Sequence, residues 1–229
     1  MRLLLSILTL LMAASTANSQ ELTILSFNVR EWTRDTDSSQ GTYWKDRMEA
    51  MERMIADVDP DIICFQELLP PTGRYVPDVY KQVGMSVSHP IYVRKSMKAS
   101  GHRFSIFWET CLVDGIRIIN VHSRWEKKVV QRTVDQVNGQ LSQKSVACGD
   151  WNTFLPNIKK AGLLMESARE LLGIPEEDTF ANFTKPESHG AIDHFFIKGV
   201  TPLSYEMIVE GYGVDKISDH FPIVLKIRH

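Results

Sequence analysis

The sequence has 229 residues, 43% hydrophobic and 24% charged, which suits one globular domain with a sizeable core. Lys and Arg number 26 against 28 Asp and Glu, a formal net charge of −2. So mild an acidic balance argues against tight, static binding of nucleic acid. It leaves room for a hydrolase whose bound metal ion supplies the positive charge that phosphate needs.

Arg2 opens the chain, Leu3 to Ala13 form a short apolar run, and small or polar residues follow through Ser19. The pattern reads as a secretory signal peptide over residues 1–19, too short to span a bilayer, with one domain over 20–229. A secreted or periplasmic protein is expected. Cys64, Cys111 and Cys148 each lie in an apolar, strand-like run. They read as buried thiols, with a Cys64–Cys148 pair open if their strands adjoin. No Cys or His spacing suits structural zinc, and His89, His102 and His189 supply none.

Leu22 to Val29 is a dense apolar run that predicts a buried strand, with Asn28 at its end. The polar stretch 31–42 reads as loop. Tyr43 to Val58 repeats Trp44, Met48, Met51 and Ile55 at helical spacing, and Asp59-Pro60 stops the helix. Ile62 to Phe65 predicts a second buried strand, followed at once by Gln66-Glu67. Residues 68–77 read as loop. Val87 to Val93 and Phe104 to Val113 are strand candidates, and Asp114-Gly115 signals a hairpin into Ile116 to Val121. That strand ends in His122. Glu126 to Leu141 reads as an amphipathic helix, and Val146 to Cys148 as a strand ending in Gly149-Asp150-Trp151-Asn152. A short helix is expected at Met165 to Leu172, loop at 175–186, and strands at Ile192 to Ile197, Leu203 to Val209 and Phe221 to Ile227. About nine strands and three or four helices predict an α/β fold: two mixed β-sheets packed face to face and flanked by helices.

The chemistry gathers at strand ends. Asn28, Glu67, His122, Asp150, Asn152, Asp193, Asp219 and His220 each close or adjoin an apolar strand. Charges there are costly unless they serve something. In extended backbone, Asp150 and Asn152 project the same way, with Trp151 pointing oppositely into the sandwich. Glu67 is hard-oxygen ligation for Mg²⁺ or Mn²⁺. Asp150 can orient or deprotonate a water while Asn152 holds phosphate oxygen. His220 and His122 can donate to a phosphate or its leaving group, with Asp193 fixing the ring of His220. Arg30, Arg124, Trp125 and Trp32 lie nearby in sequence and can grip phosphate or stack on a base or sugar.

The stretches SFNVR (26–30), FQE (65–67), NVH (120–122), GDWN (149–152), IDHFF (192–196) and SDHFP (218–222) resemble the ordered signature of the endonuclease/exonuclease/phosphatase superfamily. The resemblance implies a four-layer α/β/β/α sandwich and metal-dependent phosphoester hydrolysis, with Mg²⁺, Mn²⁺ or Ca²⁺ as cofactor. It implies that Glu67 holds the metal and that Asn28 and Asp219 support metal and ligand positioning. Asp150 would activate water, Asn152 polarise the phosphate, and His220, oriented by Asp193, contact it along with His122. Arg30 resembles the deoxyribonuclease-like form of the first motif. Two departures stand out. Where many members carry a Gly-Glu pair whose Glu orients the central His, this chain reads Ser88-His89-Pro90. The Arg that inositol phosphatases place after GDxN is replaced by Thr153-Phe154. A phosphodiesterase or nuclease ranks first, a phosphomonoesterase on sugar phosphates or lipid headgroups second, and a non-catalytic binding module on the same fold last. A monomer without an obligate protein partner is expected.

Overall fold

The computed structural model describes residues 20–31, 44–69, 76–181, 190–212 and 217–229. The leader 1–19, Trp32, Tyr43, His189 and parts of the three loops read at 31–42, 68–77 and 175–186 lie outside the described residues.

The first sheet is built from β1 (Glu21–Asn28), β2 (Ile62–Gln66), β3 (Tyr80–Val83), β4 (Ile91–Arg94), β11 (Thr201–Met207) and β12 (Ile223–Arg228), in the order β11-β12-β1-β2-β4-β3. The second holds β5 (Ala99–Phe104), β6 (Trp108–Val113), β7 (Ile116–His122), β8 (Ser145–Asp150), β9 (Glu166–Ser167) and β10 (Asp193–Lys198), in the order β5-β6-β7-β8-β10-β9. Each sheet has one parallel pair. β1 and β2 are joined through α1 (Trp44–Val58), and β7 and β8 through α2 (Lys127–Asn138). Parallel neighbours need such a crossover, and it lays the helix on the sheet's outer face. Short α3 (Leu155–Lys160) joins α2 on that side, and α4 (Ala168–Leu171) follows β9.

Side-chain parity produces the four layers. On β1, Leu22 and Ile24 face the other sheet, while Leu25 and Phe27 pack under Met48, Met51 and Ile55 of α1. On β8, Val146 and Cys148 point inward and Ala147 outward, where α2 and α3 contribute Val134, Val137 and Ile158. Ile62 and Cys64, Ile116 and Ile118, and Phe195 and Ile197 complete the inter-sheet core. All three cysteines are buried free thiols there. Among the described residues, the fully buried Arg47 is the main polar exception under α1, where its Nη1 donates to the carbonyls of Val29 (2.9 Å) and Ile217 (2.8 Å).

The sandwich matches the expected fold class, but twelve strands are present among the described residues, not about nine. β3, β5 and β9 are the additions. β3 and β5 are outer strands whose sequences, YKQV and ASGHRF, are largely polar because one face meets solvent. The strand expected over Val87 to Val93 begins only at Ile91. The one expected over Phe104 to Val113 is divided between β5 and β6. The helix expected over Met165 to Leu172 opens instead as β9, and Ser167 Oγ then accepts from Glu170 N to start one turn of helix. Trp151 is fully buried, but under α2 and α3 on the outer face of the second sheet, edge-on to Phe196 at 5.2 Å, and not between the sheets.

The parallel seam between β7 and β8 closes at Gly149, where φ is +134° and an added Cβ would sit 2.0 Å from Val121 O. Only glycine fits both the dihedral and the approach. Gly149→Ala is expected to destabilise the protein by about 3 kcal/mol or more, read from urea unfolding. A midpoint equal to wild type would show that the seam does not need the glycine.

Candidate active site

The inward faces of the central strands change character at one edge. Parity carries the apolar rows of β1, β2, β7, β8 and β10 into Asn28, Gln66, Asn120 with His122, Asp150 and Asp193. Register aligns them, since Asn28 pairs with Gln66, His122 with Asp150, and Asp193 with Asp150. These are the C-terminal ends of four strands and the N-terminal start of antiparallel β10. β12 also runs antiparallel to β1, so Asp219-His220, just before it, reach the same edge.

Backbone turns fold further groups over that edge. Arg30, Glu67 and Asn152 all have positive φ, at 53°, 61° and 51°. Left-handed backbone costs a non-glycine residue free energy, and such strain gathers at functional sites. Asn152 therefore does not continue an extended strand beside Asp150. Its backbone N–H donates to Asp150 Oδ1 (2.8 Å), and its Nδ2 donates to Asp150 Oδ2 (2.9 Å) and Ser123 O (3.2 Å).

Asp150 stands at the centre. Asn28 Nδ2 donates to Asp150 Oδ2 (3.0 Å) and Glu67 Oε1 (3.3 Å), bridging the sheets, and its orientation is fixed by Arg30 N donating to Oδ1 (2.9 Å). Glu67 Oε2 accepts from Glu31 N (2.9 Å). His122 Nε2 lies 3.8 Å from Asp150 Oδ2 and 3.7 Å from Glu67 Oε1, and His220 Nε2 lies 3.9 Å from Asp150 Oδ2. His220 Nδ1 donates to Asp193 Oδ2 at 2.8 Å. Thr179 Oγ1 donates to that same oxygen (2.7 Å) and accepts from the backbone N–H groups of Ile192 and Asp193. Behind these groups, Gln66 Nε2 donates to Asn120 Oδ1 (2.6 Å), and Asn120 Nδ2 donates to the carbonyls of Phe65, His89 and Pro90.

Burial raises the Asp150 carboxyl to about 7, with the nearby His220 opposing. For His220, burial works to lower the pKa, but Asp193 and Asp150 outweigh it and hold the ring protonated up to about 10. For His122, burial pulls the pKa down to about 4 against the pull of Glu67, so its ring is neutral near pH 7. The acceptors facing His122 Nε2 lie beyond hydrogen-bond range, and among the described residues no carboxylate hydrogen-bonds its ring. His89 and Pro90 instead offer their carbonyls to Asn120.

Glu67 and Asp150 are hard oxygen donors flanking one amide, so the pair fits a hard divalent ion. Asp150, Asp193 and His220 also bring ligand atoms within 4.8 Å of one another. Within that trio, Asp193 Oδ2 accepts from His220 Nδ1 and Thr179 Oγ1, and Asp150 Oδ2 accepts from Asn28 Nδ2 and Asn152 Nδ2. Asp219 Oδ2 is held by Arg30 Nη1 at 2.6 Å. Arg124 and Trp125 stay outside the cluster as exposed residues.

Several positioning groups carry no sequence signal of their own. Thr179 lies in a loop, and Ser218, whose Oγ donates to Asn28 O (2.7 Å) and accepts from His220 N (3.2 Å), looks like any serine. Gln66 and Asn120 could have been found by extending the inward parity of their strands.

The family model described as Endonuclease/Exonuclease/phosphatase family matches residues 18–220. The chain belongs to this family. Solved structures agree on the fold. A family protein from Bacteroides vulgatus has a TM-score of 0.76 at 17% identity, covering 91% of this chain and 98% of that one. TDP2 of D. rerio, solved in complex with a single-strand DNA product, has a TM-score of 0.70 at 19% identity, covering 90% and 98%. A mannosyl-6-phosphatase of Bacteroides thetaiotaomicron has a TM-score of 0.67 at 19% identity, covering 90% and 99%. A search of curated proteins with the sequence returned no match.

Beside the site, His194 Nε2 donates to Thr153 O (3.0 Å), pinning the turn after Asn152. Burial drives the His194 pKa down to about 4, against the Thr153 carbonyl. The unfolded ring titrates near 6.5, so below that pH the unfolded state takes up the extra proton. The stability is complete above about 6.5 and is lost as pH falls through 4. His194→Gln, which keeps a neutral donor, is expected to gain on wild type by on the order of 2 kcal/mol between pH 7.5 and 4.5, read from urea midpoints. A gap between the two proteins that stays constant over this range would refute the assignment.

Proposed function

We propose that this family member is a divalent-metal-dependent hydrolase of phosphoester bonds, with phosphodiesters as its main substrates. The observation that carries the reading is the convergence of His122 and His220 on Asp150 Oδ2, with Glu67 linked to the same oxygen through the Asn28 amide, at one edge of the sandwich. Glu67 and Asp150, flanking Asn28, would hold the metal, which when bound would offset the charge on the phosphate oxygens. Asp150 Oδ2 accepts the proton of the attacking water, and Asn152 and Asn28 fix that carboxylate through their donated hydrogen bonds. His220 remains a cation at the phosphate because Asp193 holds its Nδ1–H, and Thr179 fixes Asp193 in turn. His122, one-quarter exposed at the mouth, offers a neutral ring to a phosphate oxygen. Arg30 acts through Asp219, setting the turn that presents Asn28. A phosphomonoester on a sugar or lipid headgroup fits the same centre, in keeping with the phosphatase among the similar structures. The leader-like residues 1–19 support a site of action outside the cytoplasm.

The test is turnover of bis-p-nitrophenyl phosphate, oligonucleotides and hexose phosphates with Mg²⁺, Mn²⁺ or Ca²⁺. Asp150→Asn and His220→Ala are each expected to lower kcat/KM by about 10²–10⁴ with the circular dichroism spectrum intact. Glu67→Gln should raise the metal concentration needed for half-maximal rate. No turnover of any phosphoester, together with no metal binding by calorimetry, would sink the reading.

A further inference from the structure

Next to the site, between the start of α2 and α3, lies a cavity of about 330 Å³ lined by Trp125, Lys127, Gln131, Thr153, Asn157 and Lys160, among others. Its volume falls in the small-molecule range of about 300–1,000 Å³. It adjoins the reacting edge through both of its walls. Thr153 directly follows Asn152, and Trp125 lies three residues beyond His122, at most about 11 Å away along the chain. Ser123 O, between them, accepts from Asn152 Nδ2.

Three properties of this shelf agree. The first is aromatic surface. Trp125 is 76% exposed, whereas Trp44, Trp108 and Trp151 are buried, and Phe154 beside Thr153 is 49% exposed. An indole left in water at the mouth of a cavity offers a flat face for a ring to stack on. The second is charge. Residues 122–132 carry Arg124, Lys127, Lys128 and Arg132 against a single carboxylate, Glu126, in a chain whose net charge is −2. No described carboxylate pairs with Arg124, Lys127 or Lys160, although neighbouring Lys159 is held by Glu170. The third is hydrogen bonding. Asn157 Nδ2 donates to Thr153 Oγ1, and Gln131 Nε2 donates to Ala161 O, so each amide is fixed with its oxygen left to accept.

We propose that this shelf is a second substrate subsite that takes the nucleoside next to the scissile phosphate in a single-stranded polynucleotide. Its base stacks on Trp125 and its next phosphate lies against Lys127 and Lys160. The proposal rests on the phosphodiesterase reading and deepens it by naming the substrate class. A stacking face, two ammonium groups that no described carboxylate pairs, and fixed amide acceptors, lining one cavity whose Thr153 directly follows Asn152, fit a ring alternating with anions. A lone sugar phosphate would leave the outer cations unused. Single strands are favoured because an unstacked base is free to meet the indole.

The experiment titrates a labelled octathymidylate into the protein in EDTA, so that binding is read without turnover, alongside kinetics on the oligonucleotide and on bis-p-nitrophenyl phosphate with metal. Tryptophan emission should be quenched by the oligonucleotide, and Trp125→Phe should remove most of the quench. Trp125→Ala should weaken binding about five-fold or more. It should also lower the oligonucleotide-to-bis-p-nitrophenyl-phosphate ratio of kcat/KM by a similar factor. The Lys127→Ala/Lys160→Ala double variant, which frees the one phosphate they hold, should flatten the log-affinity against log-salt slope by about 0.7. Variants that match wild type in affinity, salt slope and substrate ratio overturn the proposal. So does a hexose phosphate that loses affinity in Trp125→Ala while the oligonucleotide does not. Bis-p-nitrophenyl phosphate hydrolysis without oligonucleotide binding removes the subsite but leaves the hydrolase standing. Trp125-dependent binding without any hydrolysis leaves the subsite and removes the hydrolase.

Discussion

Asn28 donates one amide hydrogen to a carboxylate of its own sheet and the other to a carboxylate of the opposite sheet. Two packed sheets ordinarily meet through apolar side chains alone. A polar group in that interface is tolerated only when its hydrogen bonds are made. Here the tolerance is confined to one edge. Along each central strand the inward row stays apolar until its last positions, then turns to amide, imidazole or carboxylate. The bridges from Asn28 to Asp150 and from Gln66 to Asn120 replace the lost hydrophobic contact with bonds that fix distance and direction. A reacting centre in this position inherits the rigidity of two sheets at once.

The electrostatics follow from the same arrangement. Asp150 and His220 are both removed from water and face each other at 3.9 Å, and each moves the other's titration. Asp193 breaks the symmetry of that pair, because it touches His220 Nδ1 directly and so keeps the ring cationic. His122 lacks such a partner, and burial leaves it neutral. Two imidazoles a few ångströms from one carboxylate are thus given opposite charge states, because a second acid hydrogen-bonds the ring of His220 at 2.8 Å while the second acid near His122, Glu67, stays 3.7 Å away.

The strongly apolar strands were legible because burial on both faces leaves a continuous hydrophobic run, as at β1, β2, β7, β8 and β10. So were their polar terminators, since Glu67 or Asp150 directly after such a run needs a reason. What stayed hidden had physical causes. Edge strands such as ASGHRF look like loop because solvent satisfies one side of them. The turn at Asn152 has no sequence signature, because nothing local announces a positive φ in an asparagine. Thr179 reaches Asp193 through tertiary folding alone. Trp151 illustrates how parity and layer can be confused. It does point away from Asp150, but the face opposite the cleft in this fold lies under helices.

The three cysteines lend the sandwich a use unrelated to chemistry at its edge. Cys64, Cys111 and Cys148 sit in the apolar layer shared by both sheets, and burial pushes the Cys64 and Cys111 thiols up, Cys111 to about 12. A thiol that is neither ionised nor reachable is inert to alkylating reagents. Modification at these positions therefore requires the sheets to part. Catalysis samples only the rim of the molecule, whereas the alkylation rate counts openings of its centre. One mass spectrum taken over time would tell how often the whole sandwich comes undone, independently of whether its rim is still at work.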